Sequence, residues 1–264
     1  MTEHAQNISI SVIGSGNVAT HLTLGLFKAG VKIDTVYSPQ QANRTVLAEK
    51  VNAEAVNGLD KLNTNSNFYL ISVPDDKIET VAKQIPPVKG IVMHTSGMTG
   101  LDAVARYGKN AGVFYPLQTF SKQKDVDLIN VPFCLEGTNE KTLAQLEKLA
   151  KLLSRNIYRI DSNERKYLHL AAVFASNFVN YMYNASANIL QQKKLPFDLM
   201  KPLIEEVAEK IKTLPPSEAQ TGPARRNDTK TMEEHRRLLS ITDDELLEVY
   251  NLLTEQIIKK YHEL

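Results

Sequence analysis

The residues with the plainest chemistry lie close to the start of the chain. Gly14, Gly16 and Ala19 form a G-x-G-x-x-A turn after the β-branched run at residues 8–13. Residues 19–28 follow with helical spacing of apolar side chains, and Gly30 stops them. Gly14 permits a tight turn, Gly16 lets a pyrophosphate approach the backbone, and Ala19 lets helix and strand pack closely. The helix N-terminus offers free N–H groups and partial positive charge to phosphates. Gly14, Ser15, Gly16, Asn17 and Val18 are therefore the candidate pyrophosphate ligands. The strand-turn-helix setting favours dinucleotide binding over a glycine turn with a packing role only.

The adenosine end of such a site is read from the second strand, KIDTVYS. An acid about 20 residues past the glycine turn accepts the ribose hydroxyls in NAD-binding units. Tyr37, Ser38 and Pro39 occupy that place, and Asp34 comes too early, inside the strand. No carboxylate repels a 2′-phosphate there, and Ser38 and Arg44 can meet one, so NADP is favoured over NAD. The bland alternative for Arg44 is a solvated helix residue. Further on, Val73 and Pro74 end the run NFYLISVP and should border the nicotinamide ribose, because ligands of open parallel sheets sit at the carboxyl edge. GIVMHTSG brings His94, Thr95 and Ser96 to that edge, and AGVFYPLQTF brings Tyr115, Pro116 and Gln118.

Two groups lie in the second half of the chain. Residues 167–192 contain no charged side chain, yet Asn177, Asn180, Asn184 and Asn188 make a membrane span too costly. At 100° per residue His169, Ser176, Asn177, Asn180 and Asn184 fall on one stripe, opposite Phe174, Phe178, Tyr181, Met182 and Ile189. An uncharged polar stripe suits a surface facing a ligand, a domain cleft or a partner subunit better than a solvated face. Arg225 and Arg226, beside Gly222-Pro223, form either a clamp for a carboxylate or phosphate or a solubilising loop.

The elements that must position these groups change character at Asp161. Before it, strands alternate with helices: second and weak third strands, the strands already quoted, VPFCLEG, a helix at residues 139–153 and NIYRI. That alternation predicts an α/β fold, a doubly wound, mostly parallel Rossmann sheet over residues 1–160. Residues 161–264 read as an all-α domain, with helices at 162–194, 197–214, 229–239 and 242–262. Asp161 or Ser162 caps the first, and Thr242 caps the last ahead of an acidic turn.

Composition narrows the classes. The 264 residues carry a formal net charge of +1 with acids and bases mixed, so nucleic acid is not an expected partner. Cys134 is the one cysteine, in an apolar run, which excludes an internal disulfide and reads as a buried small hydrophobe. The first seven residues are polar and not a signal peptide. A soluble cytoplasmic protein with no membrane contact is the expectation.

Taken together, GSGNVA, SVPDD, HTSG, YPLQTF, AAVFASNF and TGPARRND resemble the Rossmann-like NADP oxidoreductases whose C-terminal helical domain has no assigned function. The two-domain layout is similar, more distantly, to pyrroline-5-carboxylate reductase, β-hydroxyacid dehydrogenases, prephenate dehydrogenase and 6-phosphogluconate dehydrogenase. The resemblance implies a substrate between the Rossmann edge and the first long helix, and homodimers formed through the helical domains. The β-hydroxyacid dehydrogenase lysine of K-x-x-x-N is replaced here by Val173, so that chemistry does not carry over. His169, two turns before Asn177, can stand in as proton donor. Tyr115-Pro116 stands where His-Pro is expected, and TGPARR takes the place of the Ser-Pro-Gly substrate loop of pyrroline-5-carboxylate reductase.

The leading expectation is an NADP-dependent oxidoreductase moving a hydride between nicotinamide and a small carbonyl, imine or hydroxy compound. Ser96, His169 and Asn177 are then the catalytic candidates, and Arg225 or Arg226 holds an anionic substrate. The alternative of another class is a non-catalytic NADP(H)-binding sensor or interaction protein, which the missing lysine keeps open. Reduction of a cyclic imine is a third reading on the same fold.

Overall fold

The computed structural model describes residues 8–106 and 110–262. The chain forms two compact units that meet between Asn177 and Phe178 in sequence.

The first unit is built on β1 (Ser9–Ile13), α1 (Asn17–Lys28), β2 (Lys32–Tyr37), α2 (Gln41–Lys50) and β3 (Glu54–Val56). It continues through β4 (Phe68–Ile71), α3 (Ile78–Gln84), β5 (Ile91–His94), α4 (Asp102–Ala105) and β6 (Ala111–Pro116). β7 (Phe133–Gly137), α5 (Glu140–Ala150), β8 (Ile157–Arg159) and α6 (Ser162–Ala172) complete it. The strands form one sheet in the order β3-β2-β1-β4-β5-β6-β7-β8. Every neighbouring pair is parallel except β6 with β7. The chain leaves β1 toward β2 and β3, then returns to place β4 on β1's other side. That reversal opens a crevice above the carboxyl ends of β1 and β4.

Strand periodicity explains why the sheet is covered on both faces. Ile10 and Val12 of β1 join Phe68 and Leu70 of β4 in a core with Leu22 and Leu26 of α1. The alternate residues Ile13, Tyr69 and Ile71 point the other way and pack with Ile78 and Ala82 of α3. Polar groups inside the sheet are paired: Thr35 Oγ1 donates to Ser11 Oγ at 2.8 Å, and Ser66 Oγ donates to Asp34 Oδ2 at 2.6 Å. Asp34 also meets Lys32 at 2.8 Å, so this acid is committed within the sheet, away from the crevice.

Asp161 caps α6 through a full capping box: its carboxylate accepts from Asn163 and Glu164, and Glu164 accepts from Asp161 N–H. The helix then widens into a π-helical turn, Val173–Phe178, before α7 (Val179–Gln191). A π turn carries more residues than an α turn, so the straight 100° stripe expected from His169 to Asn184 is broken in register. Asn177, Asn180 and Asn184 are exposed on this chain.

The second unit comprises α7, α8 (Lys201–Thr213), the short turns α9 (Pro216–Ala219) and α10 (Pro223–Arg226), α11 (Thr229–Thr242) and α12 (Asp244–His262). The stretch read as a plain loop around TGPARR therefore contains two helical turns, each started by a proline, whose fixed φ suits a first helical position. Thr242 does not cap the last helix. It ends α11, with its hydroxyl donating to Leu238 O at 2.9 Å, and Asp243 accepts from Leu246 N at 2.9 Å in its place. A carboxylate accepts at a helix start at least as well as a hydroxyl, and one residue separates the two candidates. No helix among the described residues is long and apolar enough to cross a membrane.

Candidate active site

The crevice at the reversal of strand order is a cleft of about 1040 Å3. Gly14 sits where three strands end: its N–H donates to Tyr37 O at 2.8 Å, and Ser72 N–H donates to Ile13 O at 2.8 Å. Its φ of +119° is left-handed, and a Cβ there would stand 2.0 Å from Ser72 O. Any side chain is therefore excluded at Gly14 by both backbone and neighbour. Gly16 is different in kind. It precedes α1 in an extended conformation with no side-chain cap, and a Cβ there would meet nothing within 4 Å. The space it leaves open belongs to the cleft. No acid occupies the first turn of α1, so its unpaired N–H groups and helix dipole face that space without an internal anion to compete. These features fit a dinucleotide's diphosphate.

Gly14, Ser15, Gly16, Asn17 and Val18 line this cleft. Ser38, Val73, Pro74, Ser96 and His169 line it too. Several are already engaged. Ser15 Oγ donates to Ser38 Oγ at 2.8 Å. Asn17 Nδ2 donates to Phe120 O at 2.9 Å, so its backbone N–H, not its amide side chain, faces the helix start. Ser96 Oγ accepts from the N–H groups of Met98 (3.0 Å) and Thr99 (2.8 Å), which closes the loop after β5. Arg44 does not line the cleft: its Nη1 donates to Ser38 O at 2.6 Å, and its Nε is buried without a partner among the described residues. Asn177 lies outside the lining as well, in the π-helical turn. Arg225 and Arg226 belong to the second unit, exposed on α10, where the Arg225 guanidinium stacks 4.2 Å above the Tyr261 ring.

Tyr115, at the cleft end of β6, is the neighbour of His169 that sequence reasoning left without a role. Its hydroxyl lies 3.1 Å from His169 Nδ1, and the rings meet edge-on with centroids 6.1 Å apart. Gly97 makes that approach possible. A Cβ on it would come within 2.5 Å of His169 Nδ1 and 3.0 Å of Tyr115 Cζ. Burial pushes the Tyr115 hydroxyl up to about 12, so it keeps its proton at neutral pH. Burial likewise raises Cys134, paired with Tyr115 across the sheet, to about 11; the thiol stays protonated and inert, as its apolar surroundings led one to expect.

What holds His169 in place begins one turn earlier. Arg165 is fully buried, with Nη1 2.6 Å from Glu136 Oε2 on β7. Its Nη2 donates to Thr99 O at 2.7 Å. Ser162 Oγ donates to the same Glu136 oxygen at 2.7 Å and accepts from Leu101 N–H at 2.9 Å. Breaking a buried pair costs about 3–5 kcal/mol, whereas an exposed one such as Arg106–Asp102 contributes about 1 kcal/mol or less. Arg165 therefore fixes α6 to both β7 and the Ser96–Gly97 loop. A lone arginine early in a helix looks like a surface residue in sequence, and only the sheet register reveals its partner on β7.

Beneath that loop His94 is buried, accepting from Ser96 N–H at Nδ1 (3.2 Å) with Nε2 facing Gly100 O at 3.2 Å. Burial, helped by the Arg165 charge, lowers it to about 4, with the Gly100 carbonyl and Asp102 opposing.

A profile described as "NADP oxidoreductase coenzyme F420-dependent" matches residues 9–93, and one described as a domain of unknown function, DUF2520, matches residues 131–257. Among solved structures, BF3122 of Bacteroides fragilis, a candidate NADP oxidoreductase, is 37% identical over 97% of this chain and 99% of its own, with a TM-score of 0.90. The chain belongs to this NADP oxidoreductase family. TM1727 of Thermotoga maritima is 27% identical over 93% of this chain and 99% of its own, with a TM-score of 0.75. An imine reductase of Myxococcus stipitatus in complex with NADP+ shares the fold at 12% identity and a TM-score of 0.65, over 96% of this chain and 95% of its own. Among curated proteins none matches. The protein is thus an NAD(P)-dependent oxidoreductase with a Rossmann-type nucleotide-binding region and a C-terminal helical region.

The oxidoreductase should weaken in mild acid through His94. Its folded value, about 4, lies below the ordinary 6.5, so the unfolded chain binds the extra proton. That stability is complete above pH 6.5 and is lost as pH falls toward 4. By linkage, urea unfolding at pH 5 should give about 2 kcal/mol less stability from this group than at pH 7. The His94→Gln variant should lack that part of the slope; equal slopes in both proteins would contradict it.

Proposed function

We propose that the protein is an NADP-dependent reductase or dehydrogenase of a small carbonyl, imine or hydroxy compound. The observation that carries this reading is one cleft holding both the Gly14–Gly16 turn and the Tyr115–His169 pair. When bound, the cofactor supplies the hydride. The protein's own groups do the rest. N–H groups at the start of α1, with Ser15, Gly16, Asn17 and Val18, hold the diphosphate. Ser38, with Arg44 bracing its carbonyl, receives the 2′-phosphate end, which is the basis for preferring NADP to NAD. Val73 and Pro74 border the nicotinamide ribose. His169, held by Tyr115 at Nδ1, donates a proton from its other ring nitrogen, Nε2, to the substrate heteroatom, and Ser96 shapes the loop beside it.

The functional division is placed at Asp161, with residues 1–160 holding the nucleotide and 161–264 serving substrate and dimer. With a single cysteine, Cys134, the chain forms no internal disulfide, which suits a reducing compartment, and we place the protein in the cytoplasm.

The test is NADPH fluorescence on titration with protein, followed by NADPH loss against a panel of cyclic imines and 2-oxo acids. Saturable binding with turnover of a panel compound is expected. His169→Ala should then lower turnover by about 100-fold, the lower end for a general acid, with NADPH affinity unchanged. Unchanged turnover would remove His169 from the mechanism, and tight binding with no turnover of any panel compound would overturn the substrate class proposed.

A homodimer formed through the helical region is also proposed. Leu199, Leu203, Val207 and Ile211 recur every fourth residue and are each more than half exposed. A continuous exposed apolar strip of that kind, running from the turn at Phe197–Met200 along α8, marks an interface. Sedimentation at micromolar concentration should give twice the chain mass, and Leu203→Asp with Val207→Asp should give the monomer. A monomeric wild-type protein would contradict the proposal.

A further inference from the structure

The adenosine end of the cleft lacks the cation expected there, because Arg44 is turned back onto Ser38 O and does not line it. The N-terminal turn of α2 is close by, with no acid in it and no side-chain cap from Gln40. Another cation does reach this place. The segment after β6, residues 117–127, crosses α1 and is pinned to it twice. Asn17 Nδ2 donates to Phe120 O at 2.9 Å, and His21 Nε2 lies 2.9 Å from Ser121 O with its ring 5.1 Å from Phe120.

Lys122 follows these two anchors directly. It lines the cleft together with Ser38, Gln40 and Asn43. It also lines a smaller hollow between α1 and α2, again with Asn43. Two lining residues common to both spaces put Lys122 at the α2 end of the cleft, beyond the diphosphate turn at Gly16. It is paired with no carboxylate among the described residues, whereas the cleft's other lysine, Lys77, is 3.0 Å from Asp76.

We propose that Lys122 is the specificity residue for the phosphate on the adenosine 2′ position, delivered by a strap anchored on the diphosphate-binding helix. Asn43 and Ser38 supply the neutral hydrogen bonds, and Arg44 serves to brace the turn. The inference rests on the NADP reading above and deepens it: the charge that selects NADP comes from the segment after β6, not from the helix after β2. Because Asn17 and His21 hold the strap to α1, the same helix orients both phosphate sites.

Binding of NADPH, NADH, adenosine 2′,5′-bisphosphate (2′,5′-ADP) and 5′-AMP, measured by calorimetry on the full chain, tests this without any substrate. The wild type should prefer the 2′-phosphorylated member of each pair. Lys122→Ala should weaken NADPH and 2′,5′-ADP by about ten-fold or more, as for a charge-assisted hydrogen bond, while NADH and 5′-AMP stay within about two-fold. Lys122→Arg should keep the preference, and Arg44→Ala should weaken all four together. A preference retained by Lys122→Ala and lost in Arg44→Ala overturns the assignment and leaves the NADP reading standing. Equal weakening of all four by Lys122→Ala places the lysine on the adenosine 5′-phosphate and also overturns it. A wild type without preference removes the NADP reading and this inference with it.

Discussion

The site depends on a backbone constraint at Gly14, where the ends of β1, β2 and β4 meet. Its N–H is taken by Tyr37 O, and its α-carbon faces Ser72 O so closely that no side chain fits. This constraint sets the direction in which the chain leaves the sheet, and therefore where α1 begins. Because Gly16 adds nothing to the space beyond, the first N–H groups of α1 point into an open cleft. An anion gains from those groups and from the helix dipole, which falls off within the first turn. Position matters more than charge here, and the position is set by three strands.

A second constraint acts at the opposite wall. Arg165 is a charge carried wholly into the interior, which is tolerated only because Glu136, Thr99 O and Ser162 share it. The effect is to tie the start of α6 to the loop carrying Ser96 and Gly97. His169 then arrives one turn later against Tyr115, with Gly97 leaving room for both rings. The two walls use unlike means, a backbone turn on one side and a buried ion pair on the other, yet both fix groups at the carboxyl edge of one sheet.

The fold was largely legible because its signals are periodic. Alternating apolar residues in β1 and β4, and the glycine turn between β1 and α1, follow from local geometry. What escaped was information held in long-range partners and in the direction a side chain turns. Nothing near Arg165 announces that Glu136 will lie beside it, and nothing near Arg44 says that its guanidinium will fold back onto Ser38 O. Lys122 sits in a polar stretch that looks like any connecting loop. The π-helical turn was invisible for a different reason: a 100° projection assumes the regularity that Val173–Phe178 breaks. Thr242 and Asp243 are both good caps, and sequence alone does not choose between neighbours. Tyr115 was seen at the strand end, but its meaning depends on a histidine 54 residues away.

The central claim is that the open N–H groups of α1 hold the diphosphate of a nicotinamide nucleotide. Backbone amide NMR of the labelled protein with and without NADPH tests it most directly. The amides of Gly16, Asn17 and Val18 should shift on binding, and they should do so with 5′-ADP as well. If NADPH binds while those three amides stay where they were, the nucleotide lies elsewhere and the account fails.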